Sequence, residues 1–449
     1  MIHYHAKEGK IIFSIVRKAF NQANILLKAN DPEAVLIWYD TLRDIDYYST
    51  LRPWQVLNRI PNINYICRKA YLIRLLQRMS TYYPSLYNYH PHSFVLPNEN
   101  ARFAQEVSKH KKKYIVKPDG GSLGIGISII SENDEYTPNE ALGIAQEYLP
   151  SALIDDTKFD LRVYALISSA NPLTIYVFRD GVARFCSMKS GTGTIYSQLT
   201  NTALNKKNPE GVNIDQITQM ISTVFDRLKR IENVDTDLVW KKIDNIIILT
   251  VLSTLKYIDV GMQQQNVENS NGYNRCFQIL GFDVMLGTDW SPILLEVNFR
   301  PSLEGSTDAE REMKMKLLTE ALSIAAPLDN VQQFLKTKSV EKFTNHMWDE
   351  ALKSTNLKSQ IAKTMKDNLS KVKGFSKIYP CSNAHNQKVY NEVTNLVMRM
   401  PISGDGKLPC LLKKPKELPE IDDIVFEDPH PSHQTATRKV RHDCPTDKK

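Results

Sequence analysis

The 449-residue chain lacks an uninterrupted apolar segment long enough to cross a membrane. A helix that spans a bilayer needs roughly 20 mostly apolar residues. The nearest candidate, Ile246–Leu252, is short, and Lys242 and Asp244 lie just before it. The N-terminal residues also lack the apolar core of a signal peptide. We therefore expect a protein without a transmembrane segment that stays in the cytoplasm.

Cysteine is scarce, and neither sign of charge dominates. The six cysteines show no CxxC or other metal-ligand spacing, which excludes a disulfide scaffold and predicts reduced thiols. Lysine and arginine outnumber the acids by 57 to 50, so the net charge is only +7. That small excess weakly favours an acidic partner: nucleic acid, an anionic membrane or an acidic polypeptide. The hydrophobic fraction of 42% excludes wholesale disorder, and the length fits two or three packed lobes.

The first pattern that carries chemistry is a glycine-rich loop between two strands predicted within Lys113–Ile130. The first strand ends at Lys117, and four glycines follow within the next nine residues. Glycines let backbone N–H groups approach phosphate oxygens, and the lysine adds a positive charge. The loop lacks the ending of a P-loop and the helix of a dinucleotide-binding fold. A glycine hairpin with a structural lysine therefore remains an alternative.

The second pattern is a pair of carboxylates on two predicted strands, Cys276–Leu286 and Ile293–Val297. Asp283 lies on the first, while Glu296 and Asn298 are two residues apart and share one face of the second. Oxygen ligands of this kind suit Mg²⁺ that bridges nucleotide phosphates. The alternative is a solvated sheet face, which we disfavour because unpaired charge is costly in apolar strands.

The third pattern is a set of alternating charges, Lys158, Asp160 and Arg162, with Arg184 further along the chain. These side chains either pair with one another or, beside a metal–nucleotide site, hold ribose, phosphate and an amino-acid carboxylate. Between them, Asp180-Gly181 predicts a hairpin turn. Hydrophobic periodicity further predicts helices over Ile66–Met79, Ile214–Arg230, Leu238–Lys256 and Glu310–Ala325.

In this order and spacing, the three patterns resemble the tubulin tyrosine ligase-like family, a branch of the ATP-grasp ligases. The resemblance runs from about residue 40 to residue 335. The segments that carry it are Asn58–Lys69, Phe94–Pro97, Lys117–Ile127, Gln146–Leu149, Lys158–Arg162, Gly181–Phe185, Leu199–Asn201, Asn205–Lys206, Gly281–Asp283 and Leu295–Ser302.

The resemblance implies an α/β (α+β) ATP-grasp fold that uses ATP and Mg²⁺. It implies ATP-binding residues at Lys117, Ser122, Leu123, Gly124, Ile125, Gly126, Gln146, Glu147, Tyr148, Leu149, Lys158, Asp160, Thr200 and Asn201. It implies Mg²⁺ ligands at Asp283, Glu296 and Asn298 and catalytic or substrate-binding roles for Lys69 and Arg162. Arg184 and Lys206 would hold the incoming amino acid, and Thr202 and Arg300 are further substrate residues at positions where the sequence departs from the family pattern.

The implied reaction forms an acylphosphate on a protein carboxylate, which the amine of a free amino acid then attacks. The blocks Asn58–Lys69 and Cys276–Ser302 look most like the polyglutamylases, which predicts free L-glutamate and tubulin tails or microtubules as substrates. A glycine or tyrosine ligase of the same family is an alternative. Another is an inactive nucleotide-binding microtubule adaptor, which Thr202 and Ala203 favour slightly and the intact acidic residues disfavour.

We predict an N-terminal lobe over 1–98, a central lobe over 99–190 and a C-terminal lobe with the metal site over 191–335. A lysine-rich helical extension over 336–400 and a disordered tail over 401–449 would follow. Lys336–Lys373 has nine lysines and four acids, which indicates either a solvated helical face or a surface that grips microtubules. We expect a monomer without a nucleic-acid partner, located in the cytoplasm and cytoskeleton, including cilium, flagellum or basal body.

Overall fold

The computed structural model describes residues 2–5, 13–23, 25–27, 34–40, 45–121, 124–138, 140–264, 273–326, 328–338 and 342–402. Ser122 and Leu123 of the predicted glycine loop lie outside these residues, as does nearly all of the predicted tail 401–449. Within the described residues the chain is a mixed α/β protein, as predicted.

The N-terminal part contains a small parallel sheet whose strand order is β2-β1-β3-β4. Helix α1 buries Val16 and Phe20 and packs against the helix Asp308–Ala325. Two 3₁₀ helices, Ile45–Thr50 and Ile63–Ile66, precede α2. The elements are β1 Ile2–His5, α1 Ser14–Gln22, β2 Ile25–Leu27, β3 Leu36–Ile37, β4 Val56–Leu57 and α2 Lys69–Tyr82.

The next part is an antiparallel sheet with the order β5-β8-β6-β7. Its core contains Phe94, Phe103 and Tyr114. Strands β6 and β7 pair directly, so the prediction of two strands joined by a glycine loop is confirmed. The elements are β5 Ser93–Leu96, α3 Asn100–Lys109, β6 Tyr114–Pro118, β7 Ser128–Ile130 and β8 Gly143–Glu147.

The main sheet has the order β12-β11-β10-β13-β14, while β9 pairs with β10 and β15 with β11. Its strands are β9 Leu153–Ile154, β10 Thr157–Ala170, β11 Leu173–Phe185, β12 Thr218–Met220, β13 Gln278–Leu286, β14 Pro292–Asn298 and β15 Phe375–Tyr379. The helices that follow α3 are α4 Ile195–Gln198, α5 Thr202–Asn205, α6 Ile214–Ile217, α7 Ile221–Ile231, α8 Thr236–Gln264, α9 Asp308–Ala325, α10 Leu328–Leu335, α11 Asn345–Ser354, α12 Leu357–Lys371 and α13 Ala384–Arg399.

The hairpin turn predicted at Asp180-Gly181 is wrong, because β11 continues through both residues. A Cβ at Gly181 would lie 2.3 Å from the carbonyl oxygen of Arg162, so the glycine permits a close approach to β10. The Asp180 carboxylate accepts hydrogen bonds from Ser222 in the first turn of α7. Both residues therefore serve packing between elements rather than a change of chain direction.

The lysine-rich stretch packs on the core rather than standing apart as a helical extension. Trp348 of α11 is fully buried, and its ring lies 5.9 Å from that of Trp54. The prediction of a lysine-rich helical extension over 336–400 is incomplete, because β15 within it adds a strand to the main sheet. Beyond it, α13 packs against α8, where Tyr390 donates a hydrogen bond to Asn245.

Among the described residues, α8 is long and apolar enough to cross a membrane by length and composition alone. Of its apolar 18-residue window, 83% is buried inside the protein, which is also the property of a core helix. The absence of a transmembrane segment stays a prediction.

Candidate active site

A cleft of about 740 Å³ is lined by the β5–β8 sheet, the main sheet and the loops after β11 and β14. The predicted site residues converge there: of those that the structure describes, all except Gly126 line the cleft. They are Lys69, Lys117, Gly124, Ile125, Gln146, Glu147, Tyr148, Leu149, Lys158, Asp160, Arg162, Arg184, Thr200, Asn201, Thr202, Lys206, Asp283, Glu296, Asn298 and Arg300.

One end of the cleft is apolar. Leu149, Met285 and Ile293 form a small buried cluster with Leu295 against it, and Ile115 also lines the cleft. The sequence patterns above did not identify Met285 or Ile115 as site residues. A signal was present, because each lies two residues from a predicted site residue on the same strand and therefore on the same face. This end suits a flat apolar ring.

Two lysines, the buried Lys117 and the partly buried Lys158, lie next to the apolar end. Lys117 Nζ donates a hydrogen bond of 2.8 Å to Gln146 Oε1, and the Gln146 amide donates to Ser93. Lys158 Nζ lies 2.8 Å from Tyr148 Oη and 4.0 Å from the centre of its ring. Burial lowers the pKa of Lys117 to about 8 and that of Lys158 to about 8. A ligand that carries phosphate groups would bind favourably to these two lysines, because the negative charge of the phosphates favours the protonated form of each amine.

Two arginines and two aspartates form a network on β10, β11 and β13. Asp160 faces Arg184 across one strand pair, and Arg162 faces Asp283 across the other. Arg184 donates to both Asp160 oxygens at 2.7 Å and lies 2.8 Å from Asp283. Thr200 Oγ1 donates to Asp160 at 2.5 Å. The predicted alternative of pairing among the strand charges is therefore realised across neighbouring strands.

The charges in this network decide the protonation of Asp283. Burial by itself raises the pKa of Asp283. The charges and hydrogen bonds of Arg162 and Arg184 outweigh burial and hold that pKa well below its usual range. Asp283 is therefore ionised, and both of its oxygens accept from arginines.

The predicted metal ligands lie on the paired strands β13 and β14. Asp283 and Glu296 are directly opposite each other, and Asn298 donates to Glu296 at 3.2 Å. Lys69 Nζ lies 3.5 Å from Glu296. Two carboxylates and an amide oxygen have the donor chemistry that Mg²⁺ takes, so these residues fit the ion. The described residues contain no group of three or more histidines, cysteines or acids that could hold a metal.

The outer wall of the cleft contains Ser306, Glu310 and Lys314, which the sequence patterns did not identify. Lys206 Nζ donates to Ser306 Oγ at 3.0 Å, and the Ser306 amide donates to Glu310. Glu310 in turn forms a buried ion pair of 2.6 Å with Lys314. Arg300 lies on the same side and reaches the carbonyl oxygen of Asp40.

Comparison of the amino-acid sequence with known proteins identifies the family of the chain. The tubulin-tyrosine ligase family matches residues 48–334, and the chain belongs to that family, which confirms the predicted resemblance.

The chain is 29% identical to tubulin polyglutamylase ttll6 of Danio rerio over 90% of this chain and 54% of that protein. It is 32% identical to tubulin polyglutamylase TTLL13 of Mus musculus over 74% of this chain and 42% of the relative. With ttll-11 of Caenorhabditis elegans, also a tubulin polyglutamylase, it shares 36% identity over 56% of this chain and 38% of the relative. The chain thus spans about half or less of the length of these relatives.

Proposed function

We propose that the chain is an ATP- and Mg²⁺-dependent ligase of ATP-grasp type that adds glutamate to glutamate side chains of tubulin tails. One observation carries the proposal: a single cleft joins an apolar end, two lysines with lowered pKa values, and a strand pair with two carboxylates and an amide. The names of the relatives support tubulin glutamylation as the class of reaction.

The apolar end of the cleft would take adenine beside the backbone of 146–149, and Lys117 and Lys158 would bind phosphates. Gly124 and Ile125 line the cleft near them. Asp283, Glu296 and Asn298 would hold Mg²⁺, which would neutralise charge at the transferring phosphoryl group. The protein contributes mainly by positioning reactants and by preorganised charge, because the cleft needs no covalent nucleophile for this reaction.

The acceptor carboxylate of the tail would be activated as an acylphosphate, which the amine of free glutamate attacks as phosphate leaves. Lys69 lies next to Glu296 and is placed to neutralise charge at the reacting carboxylate. Lys206, which makes one hydrogen bond to a hydroxyl, is a cation suited to the carboxylate of an incoming amino acid. Arg184 would contribute the two N–H donors of Nη1 from within the network.

The decisive experiment incubates the purified chain with microtubules, Mg-ATP and each labelled amino acid in turn. We expect incorporation of glutamate, and not of glycine or tyrosine. Lys69→Ala is the matched negative control, since it removes a cleft cation and keeps the network of arginines. Incorporation of glycine or tyrosine alone would replace the proposal with a related ligase.

An inactive nucleotide-binding microtubule adaptor is the second candidate, because arginines occupy both oxygens of Asp283. It predicts ATP binding and co-sedimentation with microtubules without incorporation of any amino acid. We further propose that the chain is a monomer without a nucleic-acid partner. Its proposed location is the cytoplasm and cytoskeleton, including cilium, flagellum or basal body.

A further inference from the structure

Asp119 joins the glycine loop to the start of helix α2. It directly follows β6, and its backbone N–H donates to the carbonyl oxygen of Leu142 just before β8. Its side chain is almost completely buried and accepts a 2.9 Å hydrogen bond from the backbone N–H of Ala70. Its second oxygen lies 3.1 Å from Arg68 Nε. The backbone contact to Leu142 restrains the main chain of Asp119 beside the sheet.

Helix α2 lacks the features that normally stabilise a helix start. The residue at its N-cap, Arg68, makes no side-chain capping bond, and the first turn contains no acid. The first helical residue is Lys69, whose charge is unfavourable at the positive end of a helix dipole. Asp119 supplies from another part of the chain the carboxylate that a capping residue would supply locally.

The capped helix start presents Lys69 to the cleft. Lys69 Nζ lies 3.4 Å from the carbonyl oxygen of Gly121, two residues after Asp119, and 3.5 Å from Glu296. Lys69 is therefore bracketed by the loop on one side and by a predicted metal ligand on the other. Asp119 connects the loop to the start of the helix that carries Lys69, because it belongs to the loop and binds the helix.

We propose that Asp119 is a positioning residue that holds Lys69 in register with the glycine loop and Glu296. The proposal rests on the proposed function only for the role of Lys69. It assigns no substrate contact to Asp119, whose carboxylate is directed to the helix rather than to the cleft. Its effect should therefore fall on kcat for ligation and leave the dissociation constant for ATP unchanged.

The test compares variants of Asp119 in the full chain with wild-type protein. Asp119→Ala removes the accepting oxygen and should lower kcat about tenfold or more, which corresponds to roughly 1.4 kcal/mol of activation free energy. Asp119→Asn keeps the oxygen that Ala70 uses, so it should retain most of kcat. Asp119→Glu keeps the charge but moves the oxygen by one methylene, so it should lose kcat, and this variant decides the question if Asp119→Ala does not fold.

Asn383→Ala is the matched control for a purely structural effect. Asn383 caps α13 by accepting from Asn386, so its loss should lower the melting temperature and leave kcat unchanged. A wild-type kcat for Asp119→Glu, or an Asn variant as slow as the Glu variant, would overturn the proposal. If the Asp119 variants contradict the positioning role while Lys69→Ala is inactive, the proposed function still stands. If the wild-type protein ligates no amino acid, the proposed function itself is refuted.

Discussion

Arg184→Ala tests whether the arginine–aspartate network is the structural centre of the cleft. Arg184 lies 2.7 Å from both Asp160 oxygens and 2.8 Å from Asp283, and each aspartate side chain is only 4% exposed. Removing one partner of a buried ion pair costs about 3–5 kcal/mol, because the remaining charge stays desolvated. We therefore expect the free energy of unfolding to fall by about that amount. We also expect the KM for glutamate to rise more than the KM for ATP.

Urea denaturation at neutral pH measures the loss of stability, with Lys206→Ala as an exposed control. The control should change the free energy of unfolding by less than about 0.5 kcal/mol. Adding Asp160→Ala to Arg184→Ala should recover part of the loss, because one of the two stranded carboxylates is then absent. Wild-type stability for Arg184→Ala would refute the reasoning and leave Arg184 free to bind substrate.

The pH dependence provides a second measure of the same network. Burial raises the pKa of Asp283, but the charges of Arg162 and Arg184 outweigh it and hold the pKa well below the usual range. A depressed pKa contributes stability that is present above the unfolded value of about 3.9 and is lost as the pH falls below it. In Arg184→Ala the folded pKa of Asp283 lies closer to the unfolded value, so the stability that Asp283 loses on acidification should be smaller. The variant starts from a lower free energy of unfolding and should therefore unfold at a higher pH, which circular dichroism during acid titration would show.

The remaining predictions concern the metal ligand, the lysines and the C-terminal part. Glu296→Gln should abolish labelled glutamate incorporation with an unchanged melt, and full activity would remove the metal assignment. ATP binding near pH 8.5 should take up protons, because phosphates restore the charge of Lys117 and Lys158, whose pKa values lie near 8; calorimetry that is identical in buffers of different ionisation enthalpy would contradict this. Truncation after residue 335 should yield insoluble or ATP-incompetent protein, and a soluble, ATP-binding product would contradict the packing described above. Neutralising exposed lysines of Lys336–Lys373 should weaken microtubule co-sedimentation and flatten its salt dependence; unchanged affinity would exclude a gripping role.

Periodicity predicted the strands that carry the site. The alternating charges Lys158, Asp160 and Arg162 lie on β10, and the apolar runs around Asp283 and Glu296 correspond to β13 and β14. Because alternate residues share a face, the sequence also placed Glu296 and Asn298 on one side of their strand. The roles of individual residues in binding stay predictions.

Strand register could not be predicted, because periodicity says which face a residue occupies but not which residue lies opposite. The pairing of Asp160 with Arg184 and of Arg162 with Asp283 depends on that register. The interpretation of Gly181 as a turn residue was wrong for a related reason. A glycine is required there because Arg162 of the paired strand β10 approaches its backbone closely, and this contact depends on strand register. The same holds for Asp119, whose partner Ala70 lies on another element.

Strand β15 pairs with Ile175–Phe178 of β11, on an edge that no earlier strand of the described chain covers. During synthesis, this edge leaves the ribosome long before its partner does. Unpaired edges recruit other strands and promote aggregation. The nascent protein therefore exposes the 175–178 edge of its main sheet until residues 375–379 have been synthesised and can pair with that edge. A ribosome that stalls within that interval would release an aggregating fragment rather than a smaller working protein.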